Sequence, residues 1–303
     1  RIELAIAWVP GGAKRSAPDP VVLLAGGPGQ AALEAYPLAA PAFRDILRRR
    51  DVILVDQRGT GGSHPLECPA TMQQATAIAA AAFDADAAQA LARDCLAELR
   101  DADPRFYTTG AYVADLERVR AALGVGQWNL VGVSYGTRVA LEYLRRHPAS
   151  VRSVVLDAVV PPTLALGSEH ARNLEQAVDA QFGRCELDAV CRERFGPARA
   201  RLDELLASLR RQPQRVRYRD PVTDELREDE LTAETVAGVV RLHAYSPQLF
   251  AMLPMLLQAA SSGRYDTLMA QARMVEQLVG EQIAMPLQLS VSCAEDAPRL
   301  RAD

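Results

Sequence analysis

The sequence predicts an α/β protein, a mainly parallel sheet covered by helices and interrupted by a helical insertion. Three observations predict it. Short apolar runs at residues 21–25, 52–55, 128–133 and 153–156 each end in a glycine-rich or charged turn. Helical patterns at 41–50, 111–123 and 134–147 lie between or beside them. The alternation breaks after Val160-Pro161-Pro162, and residues 168–280 read mostly as helix. Strands alternating with helices imply parallel pairing with both sheet faces buried.

Taken in order, residues 1–9 alternate polar and apolar (Ile2, Leu4, Ile6, Trp8), the period of a half-buried edge strand, and the turn-forming stretch 10–20 follows. In the insertion, residues 199–210 and 246–260 are amphipathic, with a polar linker expected at 211–230. Residues 287–292 read as a return to extended structure. The organisation expected is a core at 1–160, a helical insertion at 161–286 and a return toward the core at 287–303. The basic run Arg48 to Arg50 fits a helix C-terminus, where positive charge is favoured.

Composition narrows the function. With 303 residues and 49% hydrophobic content the chain can bury a large core plus an insertion. Its net charge is -4, and its basic residues are scattered rather than striped with aromatics, which argues against nucleic acid as a partner. No stretch approaches the roughly 18 to 20 apolar residues of a membrane span. The single lysine, Lys14, and the alanine-rich stretch 75–92 suggest only a compositional bias. Of five cysteines, none forms a CxxC pair or lies beside clustered histidine, so zinc is disfavoured, and no metal or organic cofactor is implied. Cys185 and Cys191 are close enough to staple a tight loop, and Cys68 with Cys95 would close a longer one. Buried free thiols are the alternative.

The sharpest motif is Gly132-Val133-Ser134-Tyr135-Gly136, placed between an apolar strand and a helical pattern. A nucleophile elbow needs that context: a strained strand-to-helix turn pushes the serine hydroxyl into the open, and small neighbours let backbone approach it. Ser134 is the candidate nucleophile. A second motif, Ala25-Gly26-Gly27-Pro28-Gly29, follows the strand at 21–24. It lacks the ending of a P-loop and the spacing of a dinucleotide fingerprint. Its position suits an oxyanion loop, which makes the N–H groups of Gly27 and Tyr135 the candidate donors. A third, Asp56-Gln57-Arg58-Gly59-Thr60-Gly61-Gly62-Ser63, reads as scaffolding beside the site, with Asp56 and Arg58 paired to each other or to backbone.

In this order the GGPG turn, the DQRGTGGS loop and GVSYGT resemble the proline iminopeptidase and tripeptidyl aminopeptidase group of α/β-hydrolases. The resemblance is close over residues 1–160 and looser beyond, through Cys185, Cys191 and Ser292-Cys293-Ala294-Glu295-Asp296. It implies the α/β-hydrolase fold, a helical cap closing over the substrate's free amine, and removal of N-terminal residues or short peptides. It also implies bridged cysteines and a secreted or periplasmic location, since the tripeptidyl branch is commonly exported; a cytoplasmic location is the alternative. Ala25 stands where iminopeptidases usually have His, and Tyr135 where they have Trp. Both departures point away from strict prolyl specificity.

A serine hydroxyl needs a base and an orienting carboxylate, in this fold in the chain order Ser, Asp or Glu, His. His64 precedes the serine. His147 lies along the same helix, roughly 20 Å away at about 1.5 Å per residue. His170 and His243 fall in the insertion, and Asp157 reads as a strand-end turn residue. The expectation is therefore that the catalytic Asp and His, and a partner for Cys293, lie beyond residue 303. A free α-amine is a cation that a buried carboxylate should meet. Glu175 and Asp179, one helical turn apart, are the candidates, a solvated helix face being the alternative. Two rival functions remain: an esterase for small acyl esters, and a non-catalytic binding protein on the same fold.

Overall fold

The computed structural model describes residues 2–12, 16–71 and 85–300. Residues 13–15, with Lys14, residues 72–84, which include part of the alanine-rich stretch, and the terminal residues 1 and 301–303 lie outside the described residues. The chain divides into two compact units. One comprises Arg1–Pro69, Arg93–Ser168 and Gln282–Asp303, the other Ala70–Ala92 and Glu169–Glu281. The chain thus passes between units after Pro69, Ala92, Ser168 and Glu281, where boundaries were expected near 160 and 286 alone.

The first unit is built on a sheet of order β1-β3-β2-β4-β5, from β1 (Ile6–Val9), β2 (Val21–Leu24), β3 (Val52–Val55), β4 (Trp128–Val133) and β5 (Val151–Asp157). The pairs β3-β2, β2-β4 and β4-β5 are parallel, and β1 joins the β3 edge antiparallel. Strands β2 and β3 are apolar throughout because both faces are covered, and β4 departs from this only at Asn129, whose amide donates to Asp19. Val22, Leu24, Ile53, Val55 and Leu130 enter one cluster, while Val21, Leu23, Val52 and Leu54 enter the other. In β1 the alternation is present but points the other way: Ile6 and Trp8 are the exposed face, and Ala7 and Val9 pack on the core. Trp8 donates its ring N–H to Asp51.

Helices α1 (Ala32–Ala39), α2 (Ala85–Glu98), α3 (Thr109–Ala122) and α4 (Tyr135–Arg146) connect the strands. The helix expected at 41–50 is instead two 3-10 turns, Ala40–Phe43 and Ile46–Arg48, preceded by α1. Arg50 pairs with Asp19 at 2.9 Å, so it anchors a strand start instead of capping a helix.

The second unit has its own core, including Phe182, Leu202, Leu209, Leu231, Val236 and Leu253. It holds α5 (His170–Leu187), α6 (Ala189–Phe195), α7 (Ala198–Arg211), α8 (Ala233–His243), α9 (Pro247–Phe250), α10 (Leu253–Ser261) and α11 (Asp266–Gln282). The expected linker at 211–230 is an antiparallel hairpin of β6 (Gln214–Arg219) and β7 (Leu226–Leu231). Its charged residues form the solvent face, and Val216, Tyr218 and Leu231 face the core. The strand period was thinned by so many charged positions. At the turn, the Asp220 carboxylate accepts from the Val222 and Thr223 N–H groups and pairs with Arg227 and Arg273.

Residues 287–292, expected to be extended, belong to α12 (Met285–Glu295). Leu287, Leu289, Val291 and Cys293 repeat every second residue, which mimics a strand. Leu287 and Val291, four apart and fully buried, are the pair that packs on the sheet, while Leu289 is exposed. The i,i+4 face decided the structure.

Two tight contacts fix α4 against the sheet. A Cβ on Gly136 would overlap the Leu24 carbonyl oxygen of β2, and one on Gly132 would meet the Gly136 carbonyl. Below them, Glu117 of α3 accepts from Arg120 and from the Tyr143 hydroxyl of α4. The Arg120 bonds, with help from Tyr143, lower the Glu117 pKa to about 2 although partial burial opposes this.

Two predictions follow from this packing. Gly136→Ala should destabilise the first unit by about 3 kcal/mol or more, because backbone and not a flexible side chain must move; urea unfolding measures it. Glu117 has a folded pKa below its ordinary value of 4.5, so its stabilisation is present above about pH 4.5 and is lost as pH falls toward about 2. Glu117→Gln should therefore cost about 1–2 kcal/mol at pH 7 and show a smaller further loss of Tm between pH 5 and 2.5 than the parent.

Candidate active site

Ser134 joins β4 to α4 with φ 54° and ψ -123°, a region that costs a non-glycine residue roughly 1–3 kcal/mol. Its N–H donates to the Asp157 carbonyl at the end of β5 (2.8 Å). Its carbonyl accepts from the Thr137 N–H (2.9 Å) and hydroxyl (2.6 Å). The Thr137 hydroxyl in turn accepts from the Val160 N–H. The turn is therefore clamped from both following elements, while the Ser134 side chain makes no capping bond and is half-buried. Asp157 contributes its backbone; its side chain is exposed.

The glycine turn after β2 lies against this serine. A Cβ on Gly26 would sit 3.2 Å from Ser134 Cβ. The Gly26 N–H donates to Gln30 Oε1 (3.2 Å), and the Gly29 carbonyl accepts from the Ala284 N–H (2.9 Å). Gly27 takes φ 105°, open to glycine at no steric cost. Tyr135 is the first residue of α4, so its N–H has no intrahelical acceptor. Among the described residues, neither the Gly27 nor the Tyr135 N–H has a protein acceptor.

In the third motif the backbone alternative holds for Asp56, while Arg58 finds its main partner outside the motif. Asp56, fully buried, accepts from the Leu33 and Gly62 N–H groups. Arg58 does not pair with Asp56. It makes a two-pronged bond to Asp115 of α3 (2.6 Å each) and donates to the Phe106 carbonyl.

The sequence reading missed a set of polar residues behind the elbow. The Tyr135 ring is fully buried, which raises its hydroxyl pKa. That hydroxyl lies 2.7 Å from Thr109 Oγ1 and 3.4 Å from Gln57 Nε2. Thr109 donates its hydroxyl to Glu295 Oε2 (2.8 Å) and its N–H to Glu295 Oε1 (2.7 Å). One turn along α4, buried Arg138 bonds Asp296 (2.9 Å) and the Leu164 carbonyl. Asp296 also accepts from the Leu166 N–H. Glu295 and Asp296 belong to the Ser292–Asp296 stretch that carried the looser resemblance. No periodicity could have paired them with residues so distant in the chain.

The histidines lie elsewhere. His64 Nδ1 meets the Tyr107 hydroxyl at 2.9 Å. His147 ends α4 with its ring 5.2 Å from that of Tyr143. His170 is exposed at the start of α5, and His243 is buried in the second unit, where desolvation lowers its pKa. Among the described residues, no histidine hydrogen-bonds Ser134. Glu175 and Asp179 both bond Arg199 (2.6 and 2.8 Å), with side chains 62% and 64% exposed. Arg199 already compensates their charge on an open helix face, so they do not form the buried amine receptor expected of them.

Cys68–Cys95 and Cys185–Cys191 are disulfides, and Cys293 is free and exposed. Among the described residues no group of three or more His, Cys, Asp or Glu is arranged to hold a metal, and no helix is long and apolar enough to cross a membrane.

Among known proteins, proline iminopeptidase of Neisseria gonorrhoeae is 32% identical over 141 residues, 46% of this chain and 32% of that protein. Serine protease Hip1 of Mycobacterium tuberculosis is 26% identical over 278 residues, 84% of this chain and 52% of that protein. The chain thus spans about a third to a half of these curated relatives. Among solved structures, proline iminopeptidase of Mycobacterium smegmatis aligns with 20% identity and TM-score 0.43, over 87% of this chain and 67% of that one. A family model described as alpha/beta hydrolase fold matches residues 19–184, more than half of the chain. With that match over the sheet, the elbow and the glycine turn, this chain belongs to the α/β-hydrolase family.

Proposed function

We propose that this protein is a serine hydrolase that removes N-terminal residues or short peptides from peptide substrates through an acyl-enzyme on Ser134. The observation that carries the reading is the juxtaposition of a strained, half-buried serine with two N–H groups, those of Gly27 and Tyr135, that have no protein acceptor among the described residues. The peptidase names of the relatives support the peptide substrate.

In this reading, Ser134 Oγ forms a bond to the scissile carbonyl carbon while its proton passes to a histidine base other than the described His64, His147, His170 and His243, none of which hydrogen-bonds it. The carbonyl oxygen takes up negative charge and accepts from the Gly27 and Tyr135 N–H groups. Preorganised donors of this kind are worth about 2.7–4 kcal/mol each. The C–N bond then breaks, and the leaving amine takes the proton. The shortened peptide is that leaving amine; water next attacks the acyl-enzyme and releases the removed N-terminal residue or short peptide as its acid, with the free serine. The unit containing Glu169–Glu281 serves as the cap that selects the substrate. The two disulfides support an extracellular or periplasmic location.

The test is turnover of a peptidyl anilide with a free α-amine, its N-acetylated counterpart and a nitrophenyl ester. The free-amine peptide should be preferred in kcat/KM by about tenfold or more. Ser134→Ala should lower that activity by about 10⁴-fold or more. Equal turnover of both peptides with faster ester hydrolysis would establish an esterase instead, and ligand binding without any turnover would establish a binding protein.

A further inference from the structure

We propose that Glu295 is a positioning residue for the oxyanion hole: acting through Thr109, it fixes the Tyr135 side chain and with it the Tyr135 N–H. The proposal rests on the acyl-transfer reading of Ser134.

The direction of the hydrogen-bond chain is set by its end. An ionised carboxylate only accepts, so the Thr109 hydroxyl must donate to Glu295 Oε2. That hydrogen being used, Tyr135 must donate its own to Thr109 Oγ1, and Gln57 Nε2 donates to the Tyr135 oxygen. Only one arrangement satisfies every member. Tyr135 is 0% exposed, so a hydroxyl left unpaired by a change at Thr109 or Glu295 would carry its full desolvation cost. The ring and the oxyanion donor share one Cα, and a ring that shifts to find another partner turns that Cα.

The carboxylate itself is held in place. Glu295 Oε1 accepts from the Thr109 N–H, the first residue of α3, where the helix dipole favours a negative charge. Leu287 and Val291 bury one face of α12 in the sheet cluster. The neighbouring Asp296 bonds Arg138, so two consecutive carboxylates hold the first turn of α4 at Tyr135 and at Arg138. Glutamine replaces Glu295 poorly: its Oε1 can accept from the Thr109 N–H, but its Nε2 donates where Oε2 accepted, so the Thr109 hydroxyl loses the acceptor that sets the direction of the chain.

The experiment compares Glu295→Gln, Thr109→Val, Thr109→Ser and the Thr109→Val/Glu295→Gln double variant in the full-length protein. It uses peptidyl-anilide kinetics, and ¹⁵N-tyrosine spectra in which the Tyr135 amide is identified by its loss in Tyr135→Phe. We expect Glu295→Gln and Thr109→Val each to lower kcat about tenfold or more with KM within about twofold. The double variant should be no worse than either single one, and Thr109→Ser, which keeps the hydroxyl, should recover most of the loss. The Tyr135 amide resonance should move or broaden in both single variants. A kcat loss under threefold, a parallel rise in KM, or additive losses would overturn the proposal, as would an unmoved Tyr135 amide. If the parent shows no Ser134-dependent turnover, the acyl-transfer reading has failed, and the amide spectra alone decide the role of Glu295.

Discussion

The whole site depends on the close approach of the first turn of α4 to strand β2. Backbone meets backbone there, at Gly136 against the Leu24 carbonyl, and no side chain could be interposed. That approach leaves Ser134 no room for an ordinary strand-to-helix transition, and it takes a positive φ instead. The same approach brings the glycine turn after β2 within van der Waals distance of the serine. Strand order matters for this reason: β2 lies beside β4, so the turns that leave their C-terminal ends open onto one point.

A strained turn persists only if its surroundings over-determine it. Here the restraints come from three directions: the Asp157 carbonyl holds the Ser134 N–H, Thr137 ties the turn to Val160, and the carboxylates of Glu295 and Asp296 hold α4 from behind. The last of these comes from the far end of the chain, after the second unit has been traversed. α12, which follows the second unit in sequence, thus restrains a turn that β4 and α4 form before it.

Much of this was legible in the sequence, and the reasons for success and failure are physical. The strands at 21–24, 52–55 and 128–133 announced themselves because burial on both faces leaves short apolar runs, broken in the third only by Asn129. The elbow was legible because its glycines are demanded by close contacts that no other residue tolerates. The hairpin at 214–231 was hidden, since a one-sided strand with a charged outer face looks like a polar linker. In α12 the apolar residues satisfy periods of 2 and 4 at once, and burial of Leu287 and Val291 settled between them. The acidic pair Glu175 and Asp179 had the spacing of a receptor, but the structure supplies Arg199 from α7 as its partner. The Tyr135-Thr109-Glu295 chain was illegible for a different reason: it is a long-range polar network, and its members carry no local pattern.

The most direct measurement is active-site labelling of the full-length protein with a fluorophosphonate, followed by peptide mass mapping of the adduct. A serine activated in an elbow with a working oxyanion hole should give one adduct, on the peptide carrying Ser134, that disappears in Ser134→Ala. An adduct on any other residue, or none in a protein shown to be folded, would contradict Ser134 as the nucleophile.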